Sequence, residues 1–127
     1  MAKWVLVVDD DDDLRQLLGI VLRQEGFEVR EAASGTEALD RVRESAPALI
    51  LLDVMMPGID GFDVCRRLKT DQRLASVPVV FVTALDDVAP RNTALALGAE
   101  DYINKPIVMR DLMTRLRGVM ARRGLVA

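Results

Sequence analysis

The sequence predicts an α/β fold in which helices cover both faces of a parallel β-sheet. Five apolar runs alternate with five helical patterns along the 127 residues, and strict strand–helix alternation at this spacing is typical of parallel sheets. Three of the runs are continuously apolar, as expected for central strands that are buried on both faces. Charged and hydroxyl residues follow the runs, at the strand ends where such sheets place their ligand sites.

Each predicted strand is a short apolar run bounded by polar or turn-forming residues. The runs WVLVV, ALILL and VPVVFV are predicted to be the central strands. The second and fifth runs are shorter and more polar, which suits the edges of a sheet. In chain order the predicted strands cover residues 4–8, 27–31, 48–52, 77–82 and 101–103.

The intervals between the strands carry apolar residues at helical spacing. Leucines and valines recur in this way between Leu14 and Leu22, and Gly26 follows as a C-terminal stop signal. Ser34 and Glu37 have the spacing of a capping box at the start of the second helix. The third helix follows a turn at 57–61, the fourth ends before Gly98, and the fifth ends in arginines that complement the helix dipole.

The length and composition of the chain fit one compact domain. Half of the 127 residues are hydrophobic, and a domain of this size buries roughly two thirds of its unfolded surface. The single Cys65 cannot form an internal disulfide, which favours a cytoplasmic location. There is neither a signal-like N-terminus nor an apolar stretch of about 20 residues, so no membrane association is expected. We expect one domain over residues 1–127, with 121–127 beginning a linker to an output domain.

Two further compositional facts restrict the chemistry. The net charge of −3 lacks the basic balance of nucleic-acid binding, so we expect no direct contact of this domain with nucleic acid. The chain has no histidine, which excludes a Ser-His-Asp triad, a histidine-ligated zinc site and an internal phosphohistidine. Any chemistry must therefore depend on carboxylates, lysine, hydroxyl groups and a hard metal ion.

The residues that follow the predicted strands form a consistent set. Strand one is followed by Asp9 and Asp10, strand three by Asp53, strand four by Thr83 and strand five by Lys105. In a parallel sheet these groups lie at one edge, and three carboxylates there repel each other unless a cation such as Mg²⁺ lies among them. Lysine and a hydroxyl supply the charge and the donor that a phosphoryl group requires. A carboxylate can itself be the nucleophile that forms an aspartyl phosphate.

Each of these residues also has a purely structural interpretation. Aspartates before a helix are commonly N-caps and first-turn acids, the role that we assign to Asp11, Asp12 and Asp13. Taken alone, Thr83 is more often a turn residue and Lys105 a solvated surface charge. The structural interpretation must however account for four separate strand ends at once, which favours a functional site.

Four motifs resemble those of response regulator receiver domains of two-component signalling, of the chemotaxis-receiver type. They are VVDD at 7–10, DVMMPGIDG at 53–61, VTA at 82–84 and YINKP at 102–106. The resemblance covers essentially the whole chain. It implies a flavodoxin-like, doubly wound (βα)5 fold whose five-stranded parallel sheet has the strand order 2-1-3-4-5.

The resemblance also implies roles for individual residues at the acidic site. Asp53 would be the phosphorylated residue. Asp10 would bind Mg²⁺ directly and Asp9 mainly through water, with Asp53 and the backbone carbonyl of Met55 completing the ligands from the protein.

Further implied roles concern the residues around the phosphoryl group. Thr83 and Lys105 would bind the phosphoryl oxygens and form the catalytic set with Asp53. Tyr102 would act with Thr83 as a conformational switch. The Lys105–Pro106 bond would be cis, the minority form of X–Pro bonds. The sequence departs from many relatives at Ile107, where they have phenylalanine.

The implied function is a phosphorylation-dependent signalling switch rather than an enzyme with an external substrate. The donor would be a sensor histidine kinase, a histidine phosphotransfer protein of a phosphorelay, or a small acyl phosphate, and autodephosphorylation would follow. A phosphorylation-dependent homodimer would pair Arg91 with Asp111 and Asp101 with Arg115; the alternative is a solvated charged surface. The predicted interface on the helix 4–strand 5–helix 5 face comprises Arg91, Glu100, Asp101, Asp111, Arg115 and Arg122.

Two other classes of protein share parts of this pattern. A haloacid-dehalogenase-like phosphatase also uses an aspartate after strand one, and VVDDDDD fits its Asp-x-Asp pattern. Such an enzyme needs an acidic pair after strand four, where this chain has Thr83 and only later Asp86 and Asp87. A flavodoxin-like cofactor-binding module needs a glycine- and hydroxyl-rich phosphate loop after strand one, whereas five aspartates there repel phosphate unless a metal ion lies between them.

Overall fold

A computed structural model describes residues 3–125 and has the predicted strand–helix alternation. All strand pairs are parallel, and the sheet order is β2-β1-β3-β4-β5. The predicted fold class and strand order are therefore confirmed. The elements are β1 Trp4–Val8, α1 Asp12–Gln24, β2 Glu28–Ala32, α2 Gly35–Glu44, β3 Leu49–Leu52, α3 Gly61–Lys69, β4 Val79–Thr83, α4 Val88–Ala96, β5 Asp101–Asn104 and α5 Met109–Arg122.

The burial of the strands follows their positions in the sheet. Every residue of β1, β3 and β4 is buried, whereas the edge strands β2 and β5 include partly exposed residues. Three strands begin later than predicted, and for β3 the difference is one residue, because it begins at Leu49. The Phe27 amide belongs to the end of α1, because it donates to the Leu22 carbonyl. Pro78 has no N–H group for a strand ladder, and β4 begins at the next residue and extends to Thr83.

The core has two halves, one on each face of the sheet. Alternate residues of a strand point to opposite faces. Leu6 therefore belongs to the same buried cluster as Val64 of α3, whereas Val5 and Val7 belong to the cluster that includes Leu116 of α5. The first half includes buried residues of α2, α3 and α4, and the second includes those of α1 and α5. This arrangement leaves the C-terminal edge of the strands free for a site.

The helix caps agree with the sequence in part. Asp11 is the N-cap of α1 and accepts hydrogen bonds from the amides of Asp13 and Leu14. The capping box predicted at Ser34 is only half present, because the carboxylate of Glu37 accepts from the amide of Ala33 instead of that of Ser34. A complete capping box lies instead at the start of α3, between Asp60 and Asp63.

The C-terminal helix extends further than predicted. It continues to Arg122, Gly124 has a positive φ of 66°, and the Leu125 amide donates to the Met120 carbonyl. Leu125 packs against the half of the core formed with α1 and α5. Residues 121–125 thus belong to the domain, and the rest of the predicted linker, 126–127, lies outside the described residues. No helix within residues 3–125 has the length and apolarity to cross a membrane.

Candidate functional site

The acidic residues that follow β1 and β3 lie together at the C-terminal edge of the sheet. The Asp9 amide donates to the Ala32 carbonyl at 3.1 Å, and the Asp53 amide donates to the Val8 carbonyl at 3.0 Å. These bonds continue the strand ladders and place both side chains at one edge. One carboxylate oxygen from each of Asp9, Asp10 and Asp53 lies within 4.8 Å of the others. The convergence expected for a parallel sheet is present.

Lys105 joins two of these carboxylates. Its Nζ lies 2.9 Å from Asp9 Oδ2 and 2.9 Å from Asp53 Oδ2. Asp9 and Asp53 are 2% and 4% exposed, so each buried charge has a nearby cation, as buried charges require. The Lys105 amide donates to the Thr83 carbonyl at 2.8 Å, and the Lys105–Pro106 bond is cis, as the resemblance implied.

The second oxygen of each buried carboxylate is held by the main chain. Asp9 Oδ1 accepts from the Asp11 amide at 2.9 Å, and Asp53 Oδ1 accepts from the Met55 amide at 3.1 Å. Both carboxylates are therefore fixed by one backbone donor and by one shared ammonium group. The Met55 side chain is exposed, and its backbone lies beside Asp53.

The pKa values of Asp9 and Lys105 reflect their burial and the charged groups that they contact. Burial raises the pKa of Asp9, and the charge of Asp53 raises it further, against the lowering effects of the Asp11 amide and Lys105. Burial alone would lower the pKa of Lys105, but its hydrogen bonds to Asp53 and Asp9 outweigh that effect, so this pKa is raised. One ammonium group contacts two of the three carboxylates, Asp9 and Asp53. A small cation with a preference for oxygen ligands fits this set of donors.

The remaining predicted residues lie around the site at different depths. Asp10 is exposed at its opening, whereas Thr83 is fully buried at the end of β4. The Thr83 hydroxyl accepts from the Leu85 amide at 3.4 Å. Tyr102 is 1% exposed, and its hydroxyl donates to the Leu85 carbonyl at 2.5 Å. The amide nitrogen of Asn104 also donates to that carbonyl, at 2.8 Å.

The Leu85 backbone is a connection that the sequence did not reveal. Its N–H contacts Thr83 and its carbonyl contacts Tyr102 and Asn104, so it links the two residues predicted to act as a switch. A backbone group carries no residue-specific signal, and only the polar Asn104 next to Lys105 could have indicated it.

Four of the predicted interface residues have partners within the same chain. Arg115 Nε donates to Asp101 Oδ2 at 2.8 Å, so the pair expected between two chains is formed within one. Glu100 pairs with Arg123. Arg91 donates to Asn104 at 2.8 Å, and its guanidinium carbon lies 5.1 Å from the centre of the Tyr102 ring. The other two, Asp111 and Arg122, are exposed and make no ion pair within residues 3–125.

A family model described as the response regulator receiver domain matches residues 5–117. The chain belongs to this family. Receiver domains are signalling switches of two-component systems, which confirms the predicted class and disfavours the phosphatase and the flavodoxin-like module. In agreement with this, Asp86 and Asp87 are exposed and lie outside the acidic group of Asp9, Asp10 and Asp53.

The receiver domain is similar in sequence to about half of each of two longer named regulators. It is 46% identical over 122 residues to the DNA-binding response regulator MtrA of Mycobacterium leprae, covering 96% of this chain and 53% of that protein. It is 41% identical over 121 residues to the transcriptional regulatory protein GltR of Pseudomonas aeruginosa, covering 95% and 50%. The chain thus spans about half the length of the curated relatives it matches.

Solved structures of receiver domains have the same fold. A putative response regulator from Chloroflexus aurantiacus is 37% identical with a TM-score of 0.88, covering 96% of this receiver domain and 100% of that chain. The BeF3-activated receiver domain of DrrB is 29% identical with a TM-score of 0.85, covering 96% and 100%.

Proposed function

We propose that this receiver domain is switched by phosphorylation of Asp53. The donor would be a phosphohistidine of a sensor histidine kinase or histidine phosphotransfer protein, or a small acyl phosphate. One observation carries the proposal: the buried Asp53 carboxylate lies between the Lys105 ammonium group and the Met55 amide, beside Asp9 and Asp10. This is a nucleophile with a positive charge already in place next to it.

The transfer would be an in-line displacement at phosphorus. A carboxylate oxygen of Asp53 forms the new P–O bond while the bond from phosphorus to the donor breaks, and the electron pair leaves with the donor. Lys105, at 2.9 Å from Asp53 Oδ2, is placed to stabilise charge on the phosphoryl oxygens. The Thr83 hydroxyl would then donate to a phosphoryl oxygen. In turning, the hydroxyl would lose the hydrogen bond that it accepts from the Leu85 amide in this structure.

Mg²⁺ is the cofactor that fits the acidic site. We assign its ligands to Asp9, Asp10 and Asp53, with the Met55 carbonyl as the fourth group from the protein. When bound, the ion would neutralise repulsion between the carboxylates and charge on the phosphoryl group. The support is the close approach of the three carboxylates and the raised pKa of Asp9.

Millimolar Mg²⁺ should raise the melting temperature of the unphosphorylated domain. At ten times the dissociation constant, binding contributes about 1.4 kcal/mol to the free energy of unfolding. Asp10→Asn should lose most of this increase because it removes a ligand. Asp13→Asn, in the same acidic run but in the first turn of α1, should retain it. Thermal unfolding with and without Mg²⁺ measures both. A wild type that does not respond to Mg²⁺ would contradict the assignment of the metal site.

The proposed function is tested by a labelling experiment with two arms. Acetyl phosphate with Mg²⁺ should add one phosphoryl group to the intact protein, as measured by mass spectrometry, and alkali should remove it because acyl phosphates are labile. In the second arm, a generic phosphate ester should not be turned over. Sustained hydrolysis of the ester without a labelled protein would indicate the phosphatase instead.

The output of the switch is proposed to involve the face formed by α4, β5 and α5. Tyr102 and Arg91 are in contact there, and Tyr102 is bonded through Leu85 to the loop that follows Thr83. Phosphorylation therefore has a physical route to this face. A symmetric dimer would use each pair of charges twice, but Asp101 would first have to exchange its partner, since it pairs with Arg115 within the chain.

Beryllofluoride with Mg²⁺, which mimics the acyl phosphate, should shift the domain toward a dimer. Asp111→Arg should block this shift, because Asp111 is exposed on that face and its loss breaks no ion pair within the described chain. Glu44→Arg reverses an exposed charge at the end of α2 and should dimerise like the wild type. Sedimentation velocity distinguishes the species. An activated wild type that stays monomeric would point to a different partner for this face.

The relatives named above as DNA-binding or transcriptional regulators are about twice as long as this chain. We propose that the receiver domain itself makes no direct contact with nucleic acid, in keeping with its net charge of −3.

A further inference from the structure

Arg15 makes an unusual set of contacts one turn into α1. Its Nη1 donates to the Asp9 carbonyl at 2.8 Å, its Nη2 to Asp12 Oδ1 at 2.7 Å and its Nε to Glu31 Oε1 at 3.2 Å. The side chain is 13% exposed. The planar guanidinium holds these three partners in one fixed geometry. One side chain thus connects the end of β1, the start of α1 and the end of β2.

These contacts complete the hydrogen bonds of Asp9. Its amide donates to the Ala32 carbonyl, its two carboxylate oxygens accept from the Asp11 amide and Lys105, and its carbonyl accepts from Arg15. Only the bond from Arg15 reaches the peptide group that joins Asp9 to Asp10. The direction of the Asp10 side chain depends on that peptide group.

We propose that Arg15 is a positioning residue for the acidic site: it fixes the main chain after β1 so that Asp9 and Asp10 are held for a divalent cation. The inference rests on the proposed function of this site as the metal-binding part of a phosphorylated switch. Arg15 does not touch the cation itself. Groups that orient metal ligands in this way typically change metal affinity by 10–100-fold when removed.

Charge and geometry give Arg15 opposite effects on cation binding. A positive charge near the site repels a cation, so its removal would tighten binding. Loss of the bond to the Asp9 carbonyl frees the main chain and would weaken binding. Arg15 is already neutralised by Asp12 and Glu31, which reduces the repulsion. Weaker binding is therefore the expected result.

Arg23 provides a matched control on the same helix. It lies 3.7 Å from Glu31 and donates to the Val29 carbonyl, so it also ties α1 to β2. Arg15→Gln and Arg23→Gln remove the same charge and a similar helix–strand link, but only the first removes the bond to Asp9. Arg15→Lys keeps the charge and at most part of the three-way contact.

The test uses Mn²⁺ alone, whose binding to the intact chain is measured by electron paramagnetic resonance. Arg15→Gln should bind Mn²⁺ about tenfold more weakly than wild type, Arg15→Lys should be intermediate, and Arg23→Gln should be unchanged or slightly tighter. Thermal unfolding in the absence of metal separates affinity from stability, and Arg15→Lys carries the comparison if Arg15→Gln does not fold.

Three outcomes would count against the proposal. Equal affinities of Arg15→Gln and Arg23→Gln would overturn the role of Arg15 and leave the metal site intact. Tighter Mn²⁺ binding by Arg15→Gln would show that Arg15 acts on the site through its charge and not by fixing the main chain at Asp9. A wild type that does not bind Mn²⁺ would overturn the proposed metal site together with this inference.

Discussion

The Asp53→Asn variant should take up no phosphoryl group from acetyl phosphate and Mg²⁺, whereas the wild type takes up one. The variant keeps nearly the same shape but replaces the anionic oxygen with a neutral amide, which is not a nucleophile toward phosphorus. Lys105 would retain Asp9 as a partner at 2.9 Å, so we expect the domain to stay folded. Mass spectrometry of the intact protein measures the uptake.

Asp86→Asn is the control for this result. Asp86 is exposed in the loop after β4 and lies outside the acidic group, so this variant should be labelled like the wild type. Peptide mapping then locates the modified residue. If Asp53→Asn is fully labelled at Asp9 or Asp10, the nucleophile is wrongly assigned and the phosphatase mechanism, with its aspartate after strand one, is favoured.

The Gly61→Ala variant should lose more stability than any other change considered for this domain. A Cβ at Gly61 would lie 2.2 Å from the Asp53 carbonyl oxygen and 2.9 Å from Val54 Cα, and both are backbone atoms that cannot move aside cheaply. The Gly61 amide also donates to the Val54 carbonyl at 2.9 Å. Overpacking of this kind costs about 3 kcal/mol, which lowers the melting temperature of a domain of this size by roughly 10 °C.

Gly118→Ala is the matched control for that substitution. Gly118 lies within α5, and an added Cβ would meet only Arg122 Nη1 at 3.5 Å, an ordinary contact. Alanine is favoured over glycine in a helix, so this variant should be more stable by about 0.5–1 kcal/mol. Thermal and urea unfolding measure both. If Gly61→Ala is as stable as wild type, the close packing of α3 against the Asp53 backbone is wrong. If the variant loses stability as expected, phosphoryl uptake by Asp53 should fall as well.

The central part of the site could be predicted from the sequence because it follows from strand direction. Once residues 4–8 and 48–52 are recognised as parallel strands, Asp9 and Asp53 must lie at the same edge. The same argument places Thr83 and Lys105 there. The edge strands were recognised because their residues are more polar, and this polarity reflects their partial exposure.

Partner choice could not be predicted in the same way. Arg115 pairs with Asp101 of its own chain, from α5 to β5, and the spacing of these two residues along the sequence does not specify that contact. The close approach of Gly61 to Asp53 depends on the path of the loop at 54–60. The strand β4 begins at Val79 because Pro78 has no N–H group to donate. The continuous apolar run at 77–82 did not indicate this later start.

The hydrogen bonds of the Leu85 backbone determine how often the loop after Thr83 would rearrange in the unphosphorylated domain. The loop after Thr83 is held by three hydrogen bonds to the backbone of Leu85. The Leu85 amide donates to the Thr83 hydroxyl, and the Leu85 carbonyl accepts from the side chains of Tyr102 and Asn104. A rearrangement that moves the whole Leu85 backbone would lose the three bonds together. At about 1 kcal/mol each, the rearranged loop would lie on the order of 2–3 kcal/mol higher, a population of a few per cent or less that relaxation-dispersion measurements would detect. If phosphorylation of Asp53 acts through Leu85 as proposed, these three bonds would hold the rearranged loop to that small population until the phosphoryl group is bound.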